Sequence, residues 1–218
     1  MRYDPLMSAG RRAQRSARKA AYHHGDLPRA LVAAALEIIE EAGIGSLTLR
    51  SAARRAGVSH AAPLHHFGGI SGLLAAVATK GFRGLERAIR EAAADAQDSL
   101  DALKRMGIAY VKFCGRYPAF FRAMFDVRLS DKQSHPALQE ACDASFDLLV
   151  EAIRTCQKAR LVREDDAAVL ALTAWSMVHG LAALYVDGQL ADKDLTGTDA
   201  GTLADLVTTQ LYLGLRRP

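Results

Sequence analysis

The chain has 218 residues, 50% of them hydrophobic and 24% charged, values of an ordinary globular protein that exclude intrinsic disorder and collagen-like composition. Its formal charge of +4 is mild but unevenly placed: residues 1–67 hold ten basic and five acidic side chains, a local +5, and the rest of the chain sums to −1. A basic end on a near-neutral body fits a polyanion-binding module joined to a second module, or else a solvated basic tail.

Residues 1–21 carry Arg11, Arg12, Arg15, Arg18 and Lys19 without hydrophobic periodicity, which predicts a flexible basic arm. No apolar core and small-residue cleavage site follow these cations, so no signal peptide is expected and the chain reads as cytoplasmic. From Asp26 the pattern becomes helical. Leu27, Leu31, Ala34, Ala35, Ile38 and Ala42 form one stripe, widened by Leu36 and Ile39, while Glu37, Glu40 and Glu41 take the other side. Pro28 suits the first turn and Gly43 the end.

Thr48 is a plausible N-cap for a second helix to about Ala56, with Leu49, Ala52 and Ala53 inward and Arg50, Arg54 and Arg55 outward. After Gly57, Ser59 is the expected cap of a third helix from His60 to Phe67, giving two short helices joined by a tight turn. Pro63 would fall at the fourth position of that helix, removing a donor and crowding the preceding turn, so its start is expected to be loose or its docking weakened. Longer helical patterns follow at about 71–94, 99–116, 118–128, 135–159, 165–188 and 199–215, broken by Pro118, Pro136, the 160–164 segment and the 188–201 loop. No alternating strand pattern appears. The fold class is all-α, divided as an arm over 1–21, a helix-turn-helix domain over 22–84 and a helical bundle over 85–218.

The run LVAAALEIIEEAGIGSLTLRSAARRAGVSHAAPLHHF resembles the TetR family of bacterial transcription regulators, from Leu47-Thr48-Leu49-Arg50 through Gly57-Val58-Ser59 to His66-Phe67. Trp175-Ser176-Met177-Val178-His179-Gly180 is similar to the Trp-x-x-x-His-Gly signature of one C-terminal class of that family. The resemblance implies a homodimeric, ligand-responsive repressor of a near-palindromic double-stranded DNA operator, released by a small apolar effector. No cofactor, metal or membrane is expected. Two positions depart from the family pattern, Leu64 in place of a common Tyr and Ile70 in place of a common Lys.

In a helix-turn-helix the second helix reads base edges while the other helix and helix starts meet phosphates. Thr48, Arg50, Ser59, His60, Ala61, Leu64, His65 and His66 are therefore the candidate DNA contacts. With Leu64 and Ile70 in place of phosphate-binding residues, affinity is expected to lean on the arm. Deleting residues 1–20 should weaken DNA binding and flatten its salt dependence, by up to about 0.9 in slope for each phosphate that the arm neutralises. An unchanged slope would remove the arm from the interface.

Five histidines, His23, His24, His60, His65 and His66, invite a metal reading, but neighbours on a helix point about 100° apart, so His65 and His66 do not share an ion easily. One of that pair is expected to pack beside Phe67 and the other to face DNA. Phe113, Tyr117, Phe120, Phe121, Met124 and Phe125 read as core or as a mostly apolar cavity, with Trp175, Met177, His179 and Tyr185 adding polar tips. Of these, Phe113, Tyr117, Phe121, Met124, Phe125, Trp175, Met177 and His179 are the candidate pocket. His179, alone on an apolar helix, reads by default as a hydrogen-bonded core residue.

Ala167 to Val186 is uncharged and long enough to span a bilayer, yet its alanines, Thr173, Ser176 and His179 and its acidic flanks favour a buried or interfacial helix. The last two helices are expected to form the dimer contact. Enzyme motifs are missing: no Gly-rich phosphate loop, no G-x-S-x-G, no H-E-x-x-H. The competing readings are an all-α interaction or membrane-associated protein and, less favoured, a hydrolase built on His179. The three cysteines, Cys114, Cys142 and Cys156, have no disulfide or zinc spacing.

Overall fold

The computed structural model describes residues 27–191, 193 and 198–215. The basic arm expected over 1–21, with His23 and His24, lies outside them. The described residues form α1 (Leu27–Ala42), α2 (Leu49–Ala56), α3 (Ala62–Phe67), α4 (Ile70–Ala94), α5 (Ser99–Arg116), α6 (Pro118–Met124), α7 (Pro136–Lys158), α8 (Ala167–Val186) and α9 (Ala200–Leu215). Short 3-10 turns at Ile44–Ser46, Val127–Leu129 and Lys132–Ser134 complete the path, and the all-α expectation holds.

Local chemistry explains the N-terminal elements. The α1 stripe is buried at Leu31, Ala34, Ala35, Ile38 and Ile39, although Ala42 is exposed. Thr48 caps α2: its Oγ1 accepts from the Ser51 amide at 3.0 Å while Ser51 Oγ accepts from the Thr48 amide at 2.9 Å. This reciprocal pair satisfies two otherwise unpaired donors. Gly57 ends α2 in the left-handed conformation at φ 67°, which a Cβ would disfavour. Arg55 does not face outward alone. Its guanidinium pairs with Glu41 at 2.6 Å and Glu37 at 3.2 Å, tying α2 to α1.

The third helix begins later than the sequence suggested. It starts at Ala62, two residues beyond His60, and Ala61 rather than Ser59 holds the N-cap position, without a side-chain cap. Pro63 thereby falls in the first turn, where its missing N–H has no intrahelical partner to lose, and its ring is buried. The looser start is thus a turn over residues 60–61. The helix expected over 118–128 also stops early, at Met124, before the 3-10 turn.

Helix α4 links the two halves. Its first turns pack against α1 and α3, and farther along it packs against α5, α6 and α7. It runs unbroken past position 84, so the expected division at 84/85 falls inside a helix. Arg128 adds a second tie: held by Asp126 at 2.7 Å and 2.8 Å, it donates to the Ile44 carbonyl in the α1–α2 turn at 3.3 Å. The main core includes Leu73, Leu74, Val77, Phe82, Met106, Tyr110 and Met124, and a smaller one around Ile153, Cys156, Leu170 and Leu211 joins α7, α8 and α9.

Candidate nucleic-acid interface and ligand cavity

Thr48, Arg50, Ser59, His60, Ala61, Leu64, His65 and His66 are all exposed on one helix-turn-helix unit. Both imidazoles of the His65–His66 pair are exposed, edge to face at 5.4 Å, so neither packs inside beside Phe67 as the sequence suggested. With the helix starting at Ala62, the first-turn Pro63 is buried and Leu64, His65 and His66 follow outward. Leu64 is 56% exposed, an apolar side chain where a polar one would be cheaper to solvate. The Thr48 hydroxyl is engaged in its cap and fixes the start of α2. Ile70 packs against the core.

The second feature is a cavity of about 390 Å³ between α4, α5, α7 and α8, within the range of small-molecule sites. Phe82, Leu85 and Ile89 of α4, Met106 and Tyr110 of α5, and Trp175 and Val178 of α8 make it apolar. The polar groups gather on the wall formed by α7 and the turn before it: Lys132, Gln139, Cys142, Asp143 and Ser145.

Of the eight residues read as pocket from sequence, Phe125 and Trp175 line this cavity. His179 stands behind its wall, with its ring 4.4 Å from Phe125 and 5.3 Å from Phe121. Phe121 and Met124 are buried in the core, while Phe113 and Tyr117 border a separate, open depression between α4 and α5. Met177 lies on the exposed side of α8.

His179 is hydrogen-bonded: its Nδ1 lies 2.8 Å from Tyr110 Oη, which in turn accepts from the Trp175 indole at 3.3 Å. An indole N–H only donates, so the phenol oxygen accepts it while sharing a second hydrogen bond with the imidazole. Burial holds His179 below its ordinary range and pushes Tyr110 above its own; it also raises the neighbouring Cys114 thiol to about 12. The Trp-x-x-x-His spacing puts both side chains on one helical face, where the histidine fixes the tyrosine that fixes the indole at the cavity wall.

A third feature is the outer face of α8 and α9. Val169, Met177 and Leu184 on α8, with Leu206 and Leu213 on α9, are between 36% and 61% exposed, while the exposed Leu172 borders the cavity. Among the described residues α8 is one helix long and apolar enough to cross a membrane, and 33% of its apolar stretch is buried. Its inner side is Leu170, Ala171, Ala174, Val178, Leu181 and Ala182, so larger apolar side chains are present on both faces.

Comparison with known families matches residues 103–211 to the tetracyclin repressor-like C-terminal domain and residues 31–77 to the bacterial regulatory proteins of the tetR family. A protein of unknown function from Rhodococcus sp. RHA1 is 32% identical, with a TM-score of 0.76 over 90% of this chain and 98% of that one. The TetR family regulator PfmR from Thermus thermophilus shares the fold at 22% identity, TM-score 0.67, over 86% and 99% of the two chains. The ketosteroid transcriptional regulator KstR2 of Mycobacterium tuberculosis does so at 14% identity, TM-score 0.65, over 88% and 95%. Curated protein sequences give no significant match.

Proposed function

We propose, from the premise that this chain belongs to the tetR family of bacterial regulatory proteins, that it is a cytoplasmic repressor that binds its operator as a homodimer and is released by an effector in the α4–α8 cavity. Members of the family are ligand-responsive DNA-binding transcription regulators, which points to a regulator rather than an enzyme. The carrying observation is that one helix, α4, both supports the recognition helix and supplies three cavity-wall residues, Phe82, Leu85 and Ile89. A ligand that spreads the cavity wall would tilt α4 and change the separation of the two recognition helices in a dimer. It acts only through its different affinities for the two arrangements.

In this reading Ser59, His60, Ala61, Leu64, His65 and His66 face bases, and Arg50 with the Thr48-capped helix start faces phosphates. The exposed apolar faces of α8 and α9 meet their copies across a two-fold axis as a four-helix packing. The operator is then a near-palindrome whose half-site spacing follows from the dimer.

Selection of bound duplexes from a random DNA pool tests this. The expected result is an inverted repeat, bound by a species of dimer mass with steeply salt-dependent affinity. Recovery of no sequence, or solubility only in detergent, would overturn the reading.

A further inference from the structure

We infer that the effector of this cavity is an amphipathic anion, an apolar body carrying a carboxylate or similar acidic head, and that Lys132 is the residue that binds the head. The inference rests on the cavity being the effector site and adds the ligand's charge.

The cavity is divided by chemistry. Three of its sides, from α4, α5 and α8, offer aliphatic and aromatic surface, which selects an apolar body. Its polar side carries two formal charges, Lys132 and Asp143. Asp143 is exposed, and its carboxylate already accepts from the Gln139 amide at 2.7 Å. Lys132 is different: it is half-buried, and among the described residues it makes no ion pair.

Its ammonium donates to Cys142 Sγ at 3.1 Å and sits 5.8 Å from the centre of the Phe82 ring. A sulfur is a weak acceptor and a ring face a weak counter-charge, so this arrangement leaves donor capacity unused. A partly desolvated cation without a carboxylate is costly, and an anionic ligand head removes that cost on binding. Lys132 also lies in the same short segment as Arg128, whose guanidinium reaches the Ile44 carbonyl beside the helix-turn-helix. Drawing Lys132 toward a ligand thus pulls on a segment that touches the DNA-binding half.

Trp175, the single tryptophan and a cavity-wall residue, reports occupancy through its fluorescence. The full-length protein is titrated at pH 7.5 with octanoate and 4-phenylbutanoate, and with the matched neutral alcohols octan-1-ol and 4-phenylbutan-1-ol. Each acid is expected to bind at least about tenfold more tightly than its alcohol, the size of one charge-assisted hydrogen bond. That preference should vanish in Lys132→Met, which keeps the apolar stem, and persist in Lys132→Arg. Equal binding of acids and alcohols, or a preference that survives Lys132→Met, overturns the anionic head while leaving the cavity as the effector site. Binding of none of the four overturns both.

Discussion

Replacing Leu206 and Leu213 together by glutamate is expected to turn the dimer into a monomer and to lower operator affinity by about 10²- to 10⁴-fold. The two leucines lie two turns apart on one stripe of α9 and are 55% and 61% exposed, so their loss costs the protomer little packing. In a two-fold interface the same patch meets itself, so each substitution acts twice. A leucine side chain contributes roughly 1.5–3 kcal/mol when fully buried, and with a little over half of each still to be covered the four together supply roughly 3–7 kcal/mol, a large part of the stability of a micromolar dimer. In the proposed interface the introduced carboxylates also face their copies. Once the protomers separate, each half-site is bound alone and the gain from linked binding, about 10²- to 10⁴-fold, is lost. Sedimentation velocity with an operator titration measures both effects, and unchanged helicity by circular dichroism confirms the fold. An intact dimer would take this face of α9 out of the interface.

The second large effect is expected from Gly72→Ala. Gly72 lies in the first turn of α4, and a Cβ there would sit 1.9 Å from the carbonyl oxygen of Phe67, the last residue of α3. That atom is backbone, so no side-chain rotation relieves the clash and the end of the recognition helix must move relative to α4. Overpacking of this kind costs roughly 1–3 kcal/mol, about 2–4 °C in melting temperature per kcal/mol for a chain of this size. Operator affinity should fall further than stability does, because in the proposed interface the displaced side chains forfeit base contacts worth about 1–3 kcal/mol each. Dimer mass and the Trp175 response to cavity ligands should stay unchanged, since both lie beyond the fourth helix's first turns. A variant that melts lower yet binds DNA normally would show that α3 does not depend on this contact for its placement.

The helix-turn-helix was legible because its determinants are local. The Thr48–Ser51 capping pair, Gly57 and the α1 stripe act within a few residues, and each residue read as a DNA contact is exposed. The start of α3 was misread through Ser59, a good cap by composition, although Pro63 carried the better signal: proline favours a helix's first turn, which puts the start at Ala62. Arg55 looked like another outward cation. Its pairing with Glu37 and Glu41 depends on how α2 crosses α1, which periodicity does not specify.

The cavity was less legible, and the reason is physical. Sequence period says which face of a helix turns inward, but not whether that face meets another side chain or open space. Phe82, Leu85 and Ile89 stand at ordinary core-stripe spacing and Lys132 in a short turn, and nothing in either pattern marks a void. The aromatic-rich α5–α6 segment read as pocket instead divides among core, an outer depression and the cavity wall, because α6 is only seven residues long and turns its bulk toward α4.

By itself, then, the sequence determined the all-helical class, the basic N-terminal third and the two-helix reading head, since caps, turns and amphipathic stripes are short-range properties. Tertiary packing alone set where inward faces leave a void, which cation borders it, and which side of the uncharged α8 remains uncovered. Those outcomes depend on the crossing of helices far apart in the chain, and no local pattern encodes the gap between them.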